Sequence, residues 1–454
     1  MRYKDLLFCC LISICFLALF YVLNITNGFN SIGLIISSII ILYVIRNILF
    51  NKFIFNPIIL YIIGFLVPLA ISQLKLSYLD SNFSNQTWEI IIVSIIGFIM
   101  PTILNGMLNK YNKFEYKNID IANTIKKYYK PLVVFTMINI LFILTQWKML
   151  GGVPLLVGET VVSHLDKIKL GGYIQNFMIV CSGLGILYTF LVDKKKPIIL
   201  LSILLPYIYS ILQMLRSIMF ASIYYDVCFL YLVFLIKWRN TVKINRKIIK
   251  YCIVLLVCLI ILMPIVGKIR TSNMGANYAG NKYFWSSTLK MKYNNETLAW
   301  IYSYYVMGFS NFNYFVNTYS GPKLYGYNTF LPIIGPLQLK SIWFVKPDSI
   351  IIPTLFGGAV GTYLRELYLD GNIIYIFIAV IIFSSIINYI YIKIFQTNFD
   401  IVWYILYVNI SYGILYMFFN IGALTSPGII TSTIIICLVD RVIINRNKCV
   451  DSKI

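Results

Sequence analysis

Residues 361–372, GTYLRELYLDGN, bring Arg365, Glu366 and Asp370 within six positions of one another. The run that follows, IIYIFIAVIIFSSIINYIY, is long and apolar enough to cross a bilayer. Ionisable groups at the mouth of such a span are costly unless they are paired, wetted or used. If 361–370 is helical, Glu366 and Asp370 share a face at i,i+4, and two carboxylates there repel unless a cation lies between them or one is protonated and poised as a base. Arginine is the side chain whose planar fork matches two phosphate oxygens. Two further arginines lie beside apolar runs, Arg216 in QMLRSIMF and Arg270 in GKIRTSNMG. Three guanidinium groups near the hydrocarbon boundary suit a lipid-linked pyrophosphate. Plainer roles stand beside that one. Arg216 can snorkel from a helix end, Arg270 can cap its helix C-terminus, and Asp370 or Asn372 can simply start the next helix.

Other chemistries lack their residues. The single histidine, His164, sits in GETVVSHLDKIKLGG, and no Cys or acidic cluster has ligand spacing, so no metal is expected. GGVPLLVG (151–158) lacks the Gly-Lys-Ser/Thr of a phosphate loop, and no nucleotide cofactor is expected. Aromatic residues are dense between 278 and 343, Tyr325 and Tyr327 among them. Their rings can stack on sugars, or form the interfacial belt common to membrane proteins.

The elements that must position these residues are membrane spans. The chain has 454 residues, 59% hydrophobic and 12% charged, about half the charge of an ordinary soluble domain. It reads as all-α, a polytopic integral membrane protein of about 12 transmembrane helices (range about 11–14), in one domain over 1–454. The expected spans are 6–24, 30–45, 54–72, 88–108, 131–150, 173–192, 197–214, 217–236, 250–267, 372–392, 401–420 and 427–444. The first is expected to be a retained helix, since no small-residue cleavage site follows it. Placing the N-terminus inside puts 24 of the 38 Lys and Arg on the cytoplasmic side. Both termini are therefore expected to be cytoplasmic, and the net charge of +22 is largely a topology signal, with no folded basic domain for nucleic acid. Eight of the nine cysteines lie in apolar runs, which suggests no disulfide framework.

One large outer loop, 268–371, remains, expected to hold short amphipathic or re-entrant helices. Within it, 296–317 is aromatic enough to lie on or dip into the membrane. GPKLYGYNTFLPIIGP (321–336) is broken by Gly and Pro, arguing for turns or a re-entrant path over a plain helix.

The chain resembles the Wzy-type oligosaccharide repeat-unit polymerases, the O-antigen and capsular polysaccharide polymerases of bacteria. The likeness lies in size, span number, a large outer loop before the last spans, and a loose motif ending that loop. Here the motif residues are Pro353, Thr362, Leu364, Arg365, Tyr368 and Asp370 in PTLFGGAVGTYLRELYLDGN, with YGYNTFLPIIGP similar to a Gly-Tyr…Pro segment upstream. An aromatic that the family carries between the Asp and Gly is missing.

The resemblance implies a glycosyltransferase of the bacterial cytoplasmic membrane that needs neither metal nor nucleotide sugar. It would polymerise repeat units carried on undecaprenyl pyrophosphate, at the outer face. Partners implied are these lipid-linked oligosaccharides, membrane lipid, a chain-length regulator and a flippase. Arg270 and Arg365 would stabilise the departing pyrophosphate, and Glu366 or Asp370 would take the acceptor proton. Arg216, Tyr325, Tyr327 and Tyr368 would bind substrate. An alternative of another class is a flippase or transporter of the same lipid-linked oligosaccharides. Such a protein needs polar groups near the bilayer midplane, for which Asp226 in SIYYDVCF is the clearest candidate.

Overall fold

The computed structural model describes residues 55–108, 125–157, 171–192, 196–213, 215–239, 286–334 (without 288 and 294), 361–397 and 400–418, with a few isolated positions beyond them. Among the described residues the chain is mostly helical, without a strand beyond one bridge between Ser77 and Met291. The helices are α1 (Pro57–Ser72), α2 (Asn85–Leu108), α3 (Tyr129–Met149), α4 (Pro154–Val157), α5 (Gly171–Leu191), α6 (Pro197–Leu212), α7 (Arg216–Arg239), α8 (Glu296–Thr318), α9 (Tyr327–Ile334), α10 (Tyr363–Asp370), α11 (Ile373–Gln396) and α12 (Ile401–Leu415).

Eight expected spans, from 54–72 to 217–236 and then 372–392 and 401–420, each meet one of these helices. Those at 6–24, 30–45 and 250–267 lie outside the described residues, as does most of 427–444. Three helical stretches, Tyr129–Met149, Ser217–Ile236 and Ile373–Gln396, are long and apolar enough to cross a membrane, with mean hydropathies of 1.6, 2.0 and 2.5. Exposed apolar ridges on α11 and on α2 agree with a lipid surround. Ile374, Ile378, Ile382 and Ile386 form an i,i+4 ridge on α11, and Ile92, Ile96, Met100 and Leu104 a second ridge on α2.

Contacts divide the chain into two compact units. The first comprises residues 1–114, 282–397 and 409–426; the second comprises 115–281, 398–408 and 427–454.

In the first unit, α2 and α11 pack along their lengths and run parallel. Gly97 lies against Phe377, the Ser384 hydroxyl donates to the Phe98 carbonyl, and Thr102 donates to Asn388 Oδ1 at 3.1 Å. Small and polar residues let the backbones approach and supply hydrogen bonds where water is absent. A π-helical turn, Ile62–Leu66, interrupts α1. It carries Gly64, where a Cβ would collide with the Ile414 carbonyl, and the Gly64 carbonyl accepts from Phe418 N at 3.1 Å. Tyr61 stacks on Phe98 with ring centroids 3.9 Å apart, and its hydroxyl lies 3.3 Å from that of Tyr363. The head of α10 is thereby fixed in an aromatic core.

The segment 296–317, expected to lie on or dip into the membrane, is a 23-residue helix, α8, longer than the short helices foreseen for this region. Its length follows from two faces. Buried Val306, Phe309, Phe312 and Phe315 enter the core, while Ser310, Asn313 and Tyr302 hold the segment between α1 and α2. Tyr302 and Ser310 donate to Asp80, and Asn313 Oδ1 accepts from Ser84 N at 3.0 Å and Thr87 Oγ1 at 2.9 Å.

In the second unit, α5 packs against α3, α6 and α7. Gly183 and Gly185 sit where a Cβ would strike Phe229 of α7 and Ser202 of α6. These positions set the close spacing of the three helices.

Candidate active site

α10 has eight residues, too few for a helix to persist alone, since isolated helices need about 12–15. It persists because its ends are satisfied from elsewhere. Tyr363 N donates to the Met417 carbonyl at 3.0 Å. At the other end the carbonyls are taken by the segment leading into α9: Leu324 N donates to Leu369 O at 2.7 Å, Lys323 Nζ to Tyr368 O at 2.7 Å, and Asn328 Nδ2 to Glu366 O at 3.3 Å. Beneath them Phe315, Leu324 and Leu369 form a small apolar cluster with Tyr319, Tyr327 and Tyr368.

The exchange is reciprocal, because Asp370 caps α9. Its Oδ1 accepts from Asn328 N (3.0 Å) and Asn328 Nδ2 (3.1 Å), and its Oδ2 from Thr329 N and Thr329 Oγ1 (both 2.7 Å). A carboxylate offers about four lone-pair sites, and all are engaged. Asp370 is 1% exposed; burial raises its pKa above the ordinary carboxylate value, and the donors of Asn328 and Thr329 pull it back. A negative charge at a helix N-terminus is favourable. The next helix, α11, is started by Asn372, whose side chain accepts from Tyr375 N at 3.0 Å. The sequence left Asp370 between base and first cap of α11; the geometry makes it the cap of a helix that begins 43 residues earlier in the chain, at Tyr327.

Arg365 folds back over the start of its own helix onto Gly361. A Cβ at Gly361 would lie 2.6 Å from Arg365 Cδ and 2.7 Å from Cζ, so only glycine leaves room for the guanidinium. Arg365 is 4% exposed, with Nη2 3.7 Å from Glu366 Oε1. Burial lowers the Arg365 pKa from the usual guanidinium value, and the Glu366 charge raises it again. Arg365 is thus the cation paired with Glu366, while the Asp370 carboxylate is held separately by the donors of Asn328 and Thr329; the Asn328 amide bonds Asp370 Oδ1 and the main-chain carbonyl of Glu366.

The rim is aromatic and basic. Lys323 Nζ stands 3.5 Å above the centroid of Tyr368, whose hydroxyl accepts from Gln86 at 3.1 Å. Burial pushes the Lys323 pKa down to about 8. Tyr325 and Gly326 adopt positive φ (50° and 87°) in the turn before α9, and Tyr325 is 66% exposed. The Tyr327 ring lies 6.1 Å from Trp343. Residues 321–334 of this stretch are therefore a turn followed by a short helix, Pro332 included, where sequence argued against a plain helix.

Of the candidate residues, Arg365, Glu366, Asp370, Tyr327 and Tyr368 come together in the first unit, with Tyr325 at its edge. Arg216 begins α7 in the second unit, and Arg270 lies outside the described residues. Lys323, Asn328, Thr329 and Gly361 were not singled out from sequence. Asn-Thr ahead of the apolar FLPII is a helix-start signal that points to the first two of the α9 contacts; nothing local marks Lys323. Among the described residues no three metal-ligating side chains converge. Comparison with protein-family models, curated proteins and solved structures finds no match.

Proposed function

We propose that the protein polymerises oligosaccharide repeat units carried on a lipid pyrophosphate, at the outer face of a bacterial cytoplasmic membrane. The observation that carries this reading is the pairing of buried Arg365 with partly exposed Glu366 in a short helix joined directly to the apolar α11, with Tyr325, Tyr368 and Lys323 at its rim. The parallel run of α2 and α11 supports it. Both helices begin beside α10, as they must if 73–87 and the end of 268–371 lie on one side of the membrane.

In this mechanism the donor pyrophosphate displaces Glu366 from Arg365, exchanging one charge-assisted contact for another. The guanidinium then faces the oxygen on which negative charge accumulates as the anomeric C–O bond breaks. Glu366, released, accepts the proton of the acceptor sugar hydroxyl as its oxygen bonds to the anomeric carbon. Asp370, with its lone pairs engaged, holds α9 and its aromatics in place.

A flippase or transporter of the same lipid-linked oligosaccharides is the second reading, and buried Asp226 within α7 is the observation that favours it. A deletion strain separates the two. A polymerase mutant still exports single repeat units and lacks long chains, and Arg365→Ala at normal protein level reproduces that defect. Long polymer in the deletion strain refutes the polymerase; repeat units retained on the cytoplasmic face indicate the flippase.

A further inference from the structure

Asp226 lies within the second unit, in the apolar stretch Ser217–Ile236, and is fully buried. Ser182 Oγ donates to its Oδ1 at 2.8 Å and Tyr207 Oη to its Oδ2 at 2.6 Å. Among the described residues no Lys, Arg or His pairs with it. The titratable groups near it are Tyr207 from α6, Cys228 two residues along α7, Cys181 beside Ser182 on α5, and Tyr404 of α12, which donates to the Cys228 carbonyl at 2.6 Å. None carries positive charge, so among the described residues a permanent anion here lacks the partner that a buried charge requires.

Ser182 resolves the difficulty through a second acceptor, since its Oγ is also 3.3 Å from the Ile203 carbonyl. With Asp226 ionised, Ser182 donates to Oδ1. With Asp226 protonated, the carboxyl donates to Ser182 Oγ, and the serine proton turns to Ile203 O. Every polar atom is satisfied in both states.

A polar file leads along the same helix face. Gln175, Ser182 and Thr189 recur every seven residues, a rise of about 10 Å per step. Gln175 donates to Tyr209 Oη at 3.1 Å, and Tyr209 to Gln146 Oε1 at 2.8 Å. Gln146 Nε2, Thr189 Oγ1 and both amide atoms of Gln213 are shielded and have no hydrogen-bond partner among the described residues. Buried groups of this kind are satisfied by internal water.

We propose that Asp226 is a proton-binding site inside the membrane-spanning part of the second unit, exchanging its proton with water held along this file. The site is independent of the glycosyl-transfer reading. Its test is the pH-difference infrared spectrum of the full-length protein in lipid nanodiscs, from about pH 4, where an ordinary carboxyl is half protonated, to about pH 10. The expected result is a protonated-carboxyl C=O band that disappears as pH rises and is missing in Asp226→Asn. In Ser182→Ala the band moves to higher frequency, because the carboxyl proton loses its acceptor. A band unchanged across the range, or no difference between wild type and Asp226→Asn, overturns the proposal. Dicyclohexylcarbodiimide, which adds to protonated carboxyls in apolar surroundings, supplies a second readout on the wild type. Labelling of Asp226 is expected to fall about tenfold per pH unit above the midpoint; no labelling, or labelling indifferent to pH, refutes a site that exchanges its proton.

Discussion

Replacing Asp370 with asparagine separates helix capping from proton transfer. The substitution keeps the shape and turns one acceptor oxygen into a donor. If the new amide nitrogen takes the Oδ2 position, the Thr329 hydroxyl can rotate to accept from it, but Thr329 N is left facing a donor. One buried unsatisfied N–H costs about 1–3 kcal/mol, and loss of the charge at the N-terminus of α9 adds about 0.3–1 kcal/mol. Together, about 1.3–4 kcal/mol of local destabilisation raises opening of α9 by roughly 10- to 700-fold. Hydrogen exchange of the full-length protein reads this directly. Amides of 328–331, 333 and 334 should exchange faster by that factor, while those of α11, started by Asn372, stay as in wild type. Polymer output should fall only in proportion to the loosening of α9. Unchanged exchange at 328–334 together with abolished activity would refute the reasoning, since Asp370 would then be acting on substrate and not on a helix.

Three further outcomes follow from the same geometry. Gly361→Ala should expel the Arg365 guanidinium from its seat at a stability cost of about 1 kcal/mol, because flexible atoms can yield; polymerisation falls sharply while the melting temperature moves by a few degrees. Tyr302→Phe removes a donor to Asp80 and leaves Leu76 N without its acceptor, 3.1 Å away, so thermal unfolding should report about 1–3 kcal/mol of lost stability. Lys323 titrates near 8 when folded and near 10.5 when not, so the unfolded chain binds more protons between those values. Stability should climb as pH rises from about 8 to about 10.5, be lost again as pH falls through 8, and become flat in Lys323→Met over the same window.

How much was legible beforehand depends on how far apart the partners lie. The helix from Tyr129 to Met149 is visible as an unbroken apolar run at 131–150, and the start of α11 is visible in DGN, because local rules decide both. The α8 helix was read as aromatic and interfacial; its polar residues gave no sign that Asp80 and Ser84, 229 or more residues away for Asn313 and Ser310, would bind them. Arg365 and Glu366 were legible as a pair of neighbours. The seat that Gly361 provides was not, since it depends on the guanidinium folding backwards across four residues. Asp370 shows the limit most plainly. Its spacing to Glu366 is local information, while the four donors that define its role come from Asn328 and Thr329, about 40 residues upstream.

The pairing of α2 with α11 also governs the order of assembly. Thr102 and Asn388, which bond across that interface, are separated by 286 residues. At about 5–20 residues per second of synthesis, α2 is made roughly 15–60 s before its neighbour emerges. For that interval Thr102 and the Phe98 carbonyl lack Asn388 and Ser384. The first unit can therefore close only after residues 115–281 of the second have been translated, and a chain stopped before 373 would present an unsealed helix face to the membrane's quality-control proteases.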